Sequence, residues 1–270
     1  MRRHLTLVLG AAVLVLVVAL AVAAPWISPD PMRLAPAERL LPPSANHLLG
    51  TDHLGRDVYA RALSGARISL VVGFSVAVLS VAAGLLIRLL AGYWSLVDMI
   101  VMRLMDGMMA IPAILLAIAL VALNKASVTV VIVAISLPEI PRVVRLVRSV
   151  VLTVRERPYI EAAVSGGSRA RKIIWRHILP STVPPLIVQA TYVMASAILI
   201  EAGLSFLGAG VPPDIPTWGN MIATSRLFIA RAPWTVFVPG GALALLILAV
   251  NLLGDALRDR LDVRLMRRLA

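Results

Sequence analysis

The chain has 270 residues, 60% of them hydrophobic and 15% charged, with a mean hydropathy of +0.91 and a formal net charge of +12. A soluble domain is nearer ~45–50% apolar and ~25% charged, so there is too little polar surface here to cover a water-soluble body. Disorder, collagen and a secreted disulfide scaffold are excluded, and the absence of cysteine also removes any thiolate metal site or cysteine nucleophile.

A bilayer core of ~30 Å is crossed by roughly 20 apolar helical residues. Six stretches qualify: residues 5–24, 68–90, 107–123, 128–147, 183–207 and 234–254. The fourth is interrupted by Pro138 and Pro141. The expected fold is therefore all-α and polytopic, with about six transmembrane helices. No internal repeat or low-complexity tract is visible. The first stretch has a second reading, because Arg2, Arg3 and His4 resemble the n-region of a signal peptide and Ala21-Val22-Ala23 resembles a cleavage site. Its apolar run is longer than a usual h-region, so a retained helix over residues 1–27 is expected. An extracytoplasmic segment with a short helix follows over residues 28–67, then a transmembrane core over 68–256 and a basic tail over 257–270.

Charge orients this arrangement. With the N-terminus inside, 18 of the 26 Lys and Arg fall on one side. They include Arg142, Arg145, Arg148, Arg155, Arg157, Arg169, Arg171, Lys172 and Arg176. Loops rich in Lys and Arg stay cytoplasmic, so both termini are expected inside. The basic excess is read as topology, and nucleic acid is not an expected partner. Trp26, Trp94, Trp218 and Trp234 fall near expected membrane interfaces, where amphipathic rings are favoured.

Between spans one and two, Thr51 or Asp52 is expected to cap a helix, with Asp57 and Arg61 as an i,i+4 pair. Between spans four and five lies a cytoplasmic stretch, residues 155–180. Pro158 suits a first helical turn, and Glu161 complements the helix dipole there. Gly166-Gly167 stops the helix. Ser168 is expected to cap a second short helix that Pro180 limits. Ala162 and Ala163 leave one face with almost no bulk, which suits a close-docking partner; the plainer alternative is a charged connector.

Glu161-Ala162-Ala163, then Gly167 after three intervening residues, then Ile178-Leu179-Pro180, resembles the EAA motif of ABC-importer membrane subunits. Gly50-Thr51-Asp52-His53-Leu54-Gly55-Arg56-Asp57 is similar to a signature of the dipeptide/oligopeptide/nickel branch of that family. So are Gly65-Ala66-Arg67, Ala91-Gly92-Tyr93, Arg103-Leu104-Met105-Asp106, Glu201-Ala202-Gly203-Leu204-Ser205-Phe206-Leu207-Gly208, Trp218-Gly219 and Asn251-Leu252-Leu253-Gly254-Asp255. The pattern is closest to the second permease subunit of such importers. It departs at Arg88, and at Leu137-Pro138-Glu139-Ile140-Pro141-Arg142, where Glu139 stands in an otherwise apolar run.

The resemblance implies a type I importer permease in the bacterial inner membrane. Its implied partners are a homologous permease, two cytoplasmic ATPases, an extracytoplasmic solute-binding protein and membrane lipid, with ATP and Mg bound only by the ATPases. Glu161, Ala162, Ala163, Gly166, Gly167, Ile178 and Pro180 would couple to the ATPase. Asp52, Arg56, Asp57 and Trp218 are candidates for contact with the binding protein.

Glu201 within span five is a buried carboxylate, which is costly in a membrane. It reads equally as a structural hydrogen-bonded group or, with Ser205 and Phe206, as part of a path or gate. The long loop over residues 208–233 is expected to dock or gate. Arg103 with Asp106, and Asp255 with Arg258, are expected interfacial ion pairs. Met99, Met102, Met105, Met108 and Met109 read as adaptable packing, and the scattered His residues show no metal-ligand spacing. No Gly-rich phosphate loop is present, so no catalytic residues are expected. An ATP-independent channel or transporter, with Glu139 and Glu201 as proton relays, and a membrane scaffold are the rival readings.

Overall fold

The computed structural model describes residues 2–91 and 95–269, with the side chains of 2–5, 95, 170 and 262–269 left aside. Gly92, Tyr93 and Trp94 lie outside the described residues, as do the side chains of Arg2, Arg3, His4, Arg264, Arg267 and Arg268. The long helices are α1 (Arg2–Ile27), α2 (Val58–Ala91), α3 (Ser95–Ala110), α4 (Ala113–Ala122) and α5 (Val128–Arg155). Then come α6 (Pro158–Ser165), α7 (Ala170–Ile173), a π-helical turn (Ile174–Ile178), α8 (Leu179–Phe206), α9 (Trp218–Ser225) and α10 (Trp234–Leu269). Among the described residues β structure is limited to one bridge between Thr51 and Asp57. The chain is an all-α, multi-spanning membrane protein.

Four helical stretches are long and apolar enough to cross a membrane: Thr6–Ile27, Val58–Ala91, Arg171–Phe206 and Trp234–Leu261. The stretch expected over residues 107–123 is not one helix. It is the end of α3 and all of α4, bent by 88°. Pro112 causes the break: the residue before a proline is pushed out of the α region, and Pro112 itself is extended at ψ 128°. The bent pair makes a fifth candidate crossing. Helix α5 has 28 residues, but every membrane-length window in it holds Glu139, Arg142 and Arg145. Its prolines do not interrupt it. The Ser80 hydroxyl of α2 donates to the Ser136 carbonyl at 3.2 Å and ties α2 to this part of α5.

The core is built on α2, α5 and α8, through Val72, Val76, Ala134, Ile135, Val193 and Ala197. Helices α1, α9 and α10 pack on the far side of α2 and α8, through Ala21, Val58, Ile198, Trp218 and Leu246. Small residues let these helices approach closely, as expected where lipid supplies no hydrophobic drive for association. A Cβ on Gly84 of α2 would lie 2.6 Å from the Val143 side chain of α5. Helix α10 runs on through most of the basic segment over 257–270, to Leu269.

Helix α2 begins ten residues earlier than the apolar run suggests. Its cap is Asp57, whose Oδ1 accepts the Ala60 N–H at 3.0 Å, and not Thr51 or Asp52. Asp57 Oδ2 faces His47 Nδ1 at 2.9 Å instead of Arg61.

Candidate functional site

The loop between α5 and α8 forms as Pro158, Glu161 and the glycine pair dictate. Pro158 opens α6, and Gly166 caps it. Gly167 adopts φ +76°, a conformation that glycine takes without the Cβ penalty. The Gly167 N–H reaches the Val164 carbonyl at 2.9 Å and the Ser168 N–H reaches the Ala163 carbonyl at 3.0 Å, the paired bonds of a Schellman ending. Glu161, Ala162, Val164, Ser165, Gly166 and Gly167 are exposed, and Ala163 is half-buried. The opposite side of α6 is held by Ile160, which is buried against Val151, Val154, Ile173 and Ile178. Tyr159 also packs on His177, with ring centroids 5.8 Å apart. The α6 helix thus has one anchored side and one free side.

Its continuation differs from expectation. Ser168 does not cap a second free-standing helix; the Arg169 carbonyl takes the first bonds, from Lys172 and Ile173. Nor does Pro180 end that helix. The chain passes from α7 through the π turn directly into α8, with the Leu179 N–H reaching back to the Ile174 carbonyl. A π turn widens the helix, which makes room for a proline ring just beyond it. Ile178 is buried and Pro180 exposed. The loop is therefore mounted on a continuous helix, Arg171–Phe206.

At the other end of the bundle, the four residues considered for contact with a binding protein turn inward. Asp52 and Arg56 are buried and Asp57 nearly so. Asp52 accepts N–H bonds from Leu54 at 2.8 Å and Arg56 at 2.9 Å, and the Arg56 Nε bond at 2.7 Å. Arg61, buried as well, comes within 3.9 Å of the same carboxylate. Gly55 has φ +76°, and a Cβ there would fall 1.8 Å from the Ala35 carbonyl. Trp218 is buried too and donates to the Ala62 carbonyl at 2.9 Å. It is a packing residue and not an interfacial ring. The side chains of these four are engaged within the chain: Asp52, Arg56 and Asp57 in shaping the segment, and Trp218 in the packing of α9 on α2.

The loop over residues 208–233 is ordered by Thr217, which caps α9, and by Asn220, whose amide reaches the carbonyls of Val211, Pro212 and Ile215 at 2.9–3.2 Å. Glu201 lies beneath it, fully buried, accepting the Ser205 hydroxyl at 2.8 Å. Phe206 is exposed and carries the Arg226 guanidinium 5.0 Å from its ring. A recess of about 400 Å³ is lined by Ser205, Phe206 and Arg226 but not by Glu201. His53 stacks on Phe228 with ring centroids 5.3 Å apart, joining this loop to the α1–α2 segment.

Burial holds the His53 imidazole below its usual 6.5, with Arg56, Arg39 and Arg61 adding to this and Asp52 opposing. The folded state then binds fewer protons than the unfolded one, so this contact contributes stability above pH 6.5 and loses it as the pH falls below that value. Acidification is expected to speed proteolysis of the segment in the native chain, and to do so less in a His53→Gln variant.

The family model described as the binding-protein-dependent transport system inner membrane component matches residues 78–267. A probable peptide ABC transporter permease protein from Sinorhizobium fredii is 58% identical over 267 residues, covering 99% of this chain and 92% of the relative. A di/tripeptide transport system permease protein, DppC, from Pseudomonas aeruginosa is 43% identical, covering 95% and 87%. A dipeptide transport system permease protein, DppC, from Alkalihalophilus pseudofirmus is 42% identical, covering 85% and 76%. The chain belongs to this family of binding-protein-dependent importer permeases. It is a multi-pass inner-membrane subunit of an ABC importer, working with an ATPase and a binding protein and not itself catalytic.

The permease joins its helices through carboxylates that form ion pairs and hydrogen bonds across α2, α3, α5, α8 and α10. Asp106 pairs with Arg145 of α5 at 2.6 Å, not with Arg103. Asp98 takes both Arg88 of α2 and, at 3.1 Å, Arg148 of α5. The unusual Arg88 is thus a link from α2 to α3. Asp255 accepts the Tyr192 hydroxyl at 2.5 Å, tying α10 to α8. Glu139 accepts Arg142 at 2.8 Å and Ser196 at 3.2 Å. Ile160 and Asn220 were also missed. Both are ordinary residue types in the sequence, and only burial reveals their roles.

Proposed function

We propose that this permease forms half of the translocation path of an ATP-driven peptide importer and receives the ATPase stroke through α6. The carrying observation is the two-sided mounting of α6, with Ile160 packed into the bundle and Glu161 to Gly167 left free. A lever has to be gripped at one side and fixed at the other. Motion at α6 then passes into α5 through Ile160 and into α8 through the unbroken α7–α8 rod. Nucleotide drives this only by binding two states of the complex differently.

The proposed arrangement has six crossings, formed by α1, α2, the bent α3–α4 pair, α5, α8 and α10. Both termini and residues 155–180 face the cytoplasm, in line with the basic excess there. A homologous permease completes the path, and two ATPases bind ATP and Mg below it. A solute-binding protein docks at the end formed by residues 28–57 and 208–233. Peptide is proposed as the solute because the similar permeases named above carry peptide or dipeptide in their names.

The test is recovery of the tagged chain from native membranes in mild detergent, followed by mass spectrometry. A second permease and ATPase subunits are expected. A chain recovered alone, where a control complex survives, would overturn the reading.

A further inference from the structure

The inner half of α5 carries polar groups where a lipid-facing helix would carry apolar ones. Arg142 stands near the middle of this helix, and its side chain is 47% exposed. Arg145, Ser149 and Thr153 follow it at helical spacing and are exposed as well. The opposite stripe, Val143, Val147, Val151 and Val154, is buried. By contrast, α10 presents Phe237, Leu245 and Leu248 on its exposed face. Charged groups at membrane depth face a protein interior or a water-filled cavity.

Helix α8 supplies a matching half-buried polar face. Ser181, Gln189, Tyr192 and Ser196 fall on one side of it at helical spacing. A recess of about 230 Å³ is lined by Ser149, Thr153, Ser181 and Pro185. Another of about 340 Å³ is lined by Leu146, Pro185, Gln189 and Tyr192, together with Arg258 and Leu261 of α10. The two share Pro185 and lie along the α5–α8 furrow. Above them, Ser196 Oγ and Arg142 Nη1 both donate to Glu139 Oε1. Glu139 is 1% exposed, and its second oxygen is buried without a partner.

We propose that this α5–α8 furrow lines the translocation path and that Arg142 is where a carboxylate of the solute is met. The inference rests on the importer reading above. Glu139 positions Arg142: one N–H is spent on the buried carboxylate, and the rest of the planar fork remains for a ligand. Such a fork matches a carboxylate. The neighbouring Glu139 charge also moderates the attraction, which suits a path, where binding must be weak enough for release.

The cysteine-free chain makes the test direct. Single variants Ser149→Cys, Thr153→Cys and Leu245→Cys are placed in the complete complex in proteoliposomes. They are labelled with anionic sulfonatoethyl and cationic trimethylammonium methanethiosulfonates, with the native complex as background. Positions 149 and 153 are expected to react rapidly and position 245 slowly. The anion-to-cation rate ratio at position 149 is expected to fall about tenfold when Arg142→Gln is added. It should also fall in the Glu139→Gln, Arg142→Gln double variant, which removes the pair without leaving a buried charge.

Labelling at 149 and 153 no faster than at 245 would overturn the furrow. An unchanged ratio in both Arg142 variants would overturn the carboxylate site. Neither readout requires transport, so loss of peptide uptake by the native complex would count against the peptide reading alone.

Discussion

A Glu161→Lys variant is expected to insert and assemble normally yet lose ATP-driven uptake by about tenfold or more, because like-charge contacts at an interface cost several kcal/mol. Within the chain the change is mild. Glu161 is exposed in the first turn of α6, and reversing its charge there weakens the helix dipole interaction by only ~0.3–1 kcal/mol. The loss would therefore be felt at the docked partner. Gly167→Asp is expected to behave alike. Nothing lies within 4 Å of a Cβ built there, so the local cost is confined to the left-handed backbone, roughly 1–2 kcal/mol. Ile160→Ala should fail differently. It leaves the free face intact but removes the anchor, at ~2–5 kcal/mol if the site cannot collapse, so ATP hydrolysis should persist while uptake falls. The measurement is paired ATPase and uptake rates in proteoliposomes containing the full complex. Normal uptake by a well-assembled Glu161→Lys complex would sink the coupling role.

Asp52→Ala is expected to be the most destabilising single change at the opposite end. The Asp52 carboxylate holds two backbone N–H groups and the Arg56 guanidinium, with Arg61 alongside. Both arginines are buried. Removing one partner of a buried pair leaves an uncompensated charge, at a cost of about 3–5 kcal/mol. A clear drop in the detergent-solubilised unfolding temperature should result, together with faster nicking between α1 and α2. Asp52→Asn should be milder, since its carbonyl can still accept one of the N–H bonds. An unchanged midpoint for Asp52→Ala would show that the segment is held by its backbone turns instead.

The α6 helix was legible because its signals are local. A proline at the start, an acid in the first turn and a glycine at positive φ each act within a few residues. The apolar runs were legible for the same reason, since burial in lipid requires only length and hydropathy. Boundaries were less so. The start of α2 depends on Asp57 finding His47, and the continuity of α7 with α8 depends on a π turn that no short motif announces. Pro112 and Pro180 look alike in the sequence, yet one bends the chain by 88° and the other is absorbed. The partners of Asp57 and Asp106 were misread because spacing along one helix was used where the better partner sat elsewhere in the fold.

Composition, hydropathy and residue spacing by themselves determined that this chain is a helical membrane protein and that a polar, helix-bearing stretch begins near residue 155. Those properties follow from local backbone preference and from transfer of apolar surface out of water, both additive along the chain. The tertiary structure alone decided which polar groups are spent and which remain free. Asp52, Arg56 and Trp218 proved to be buried framework, Ile160 the anchor of α6, and Arg142 a charge exposed on a polar furrow. A side chain's burial depends on what a distant helix places beside it, and that is a property of packing, which no single stretch of sequence carries.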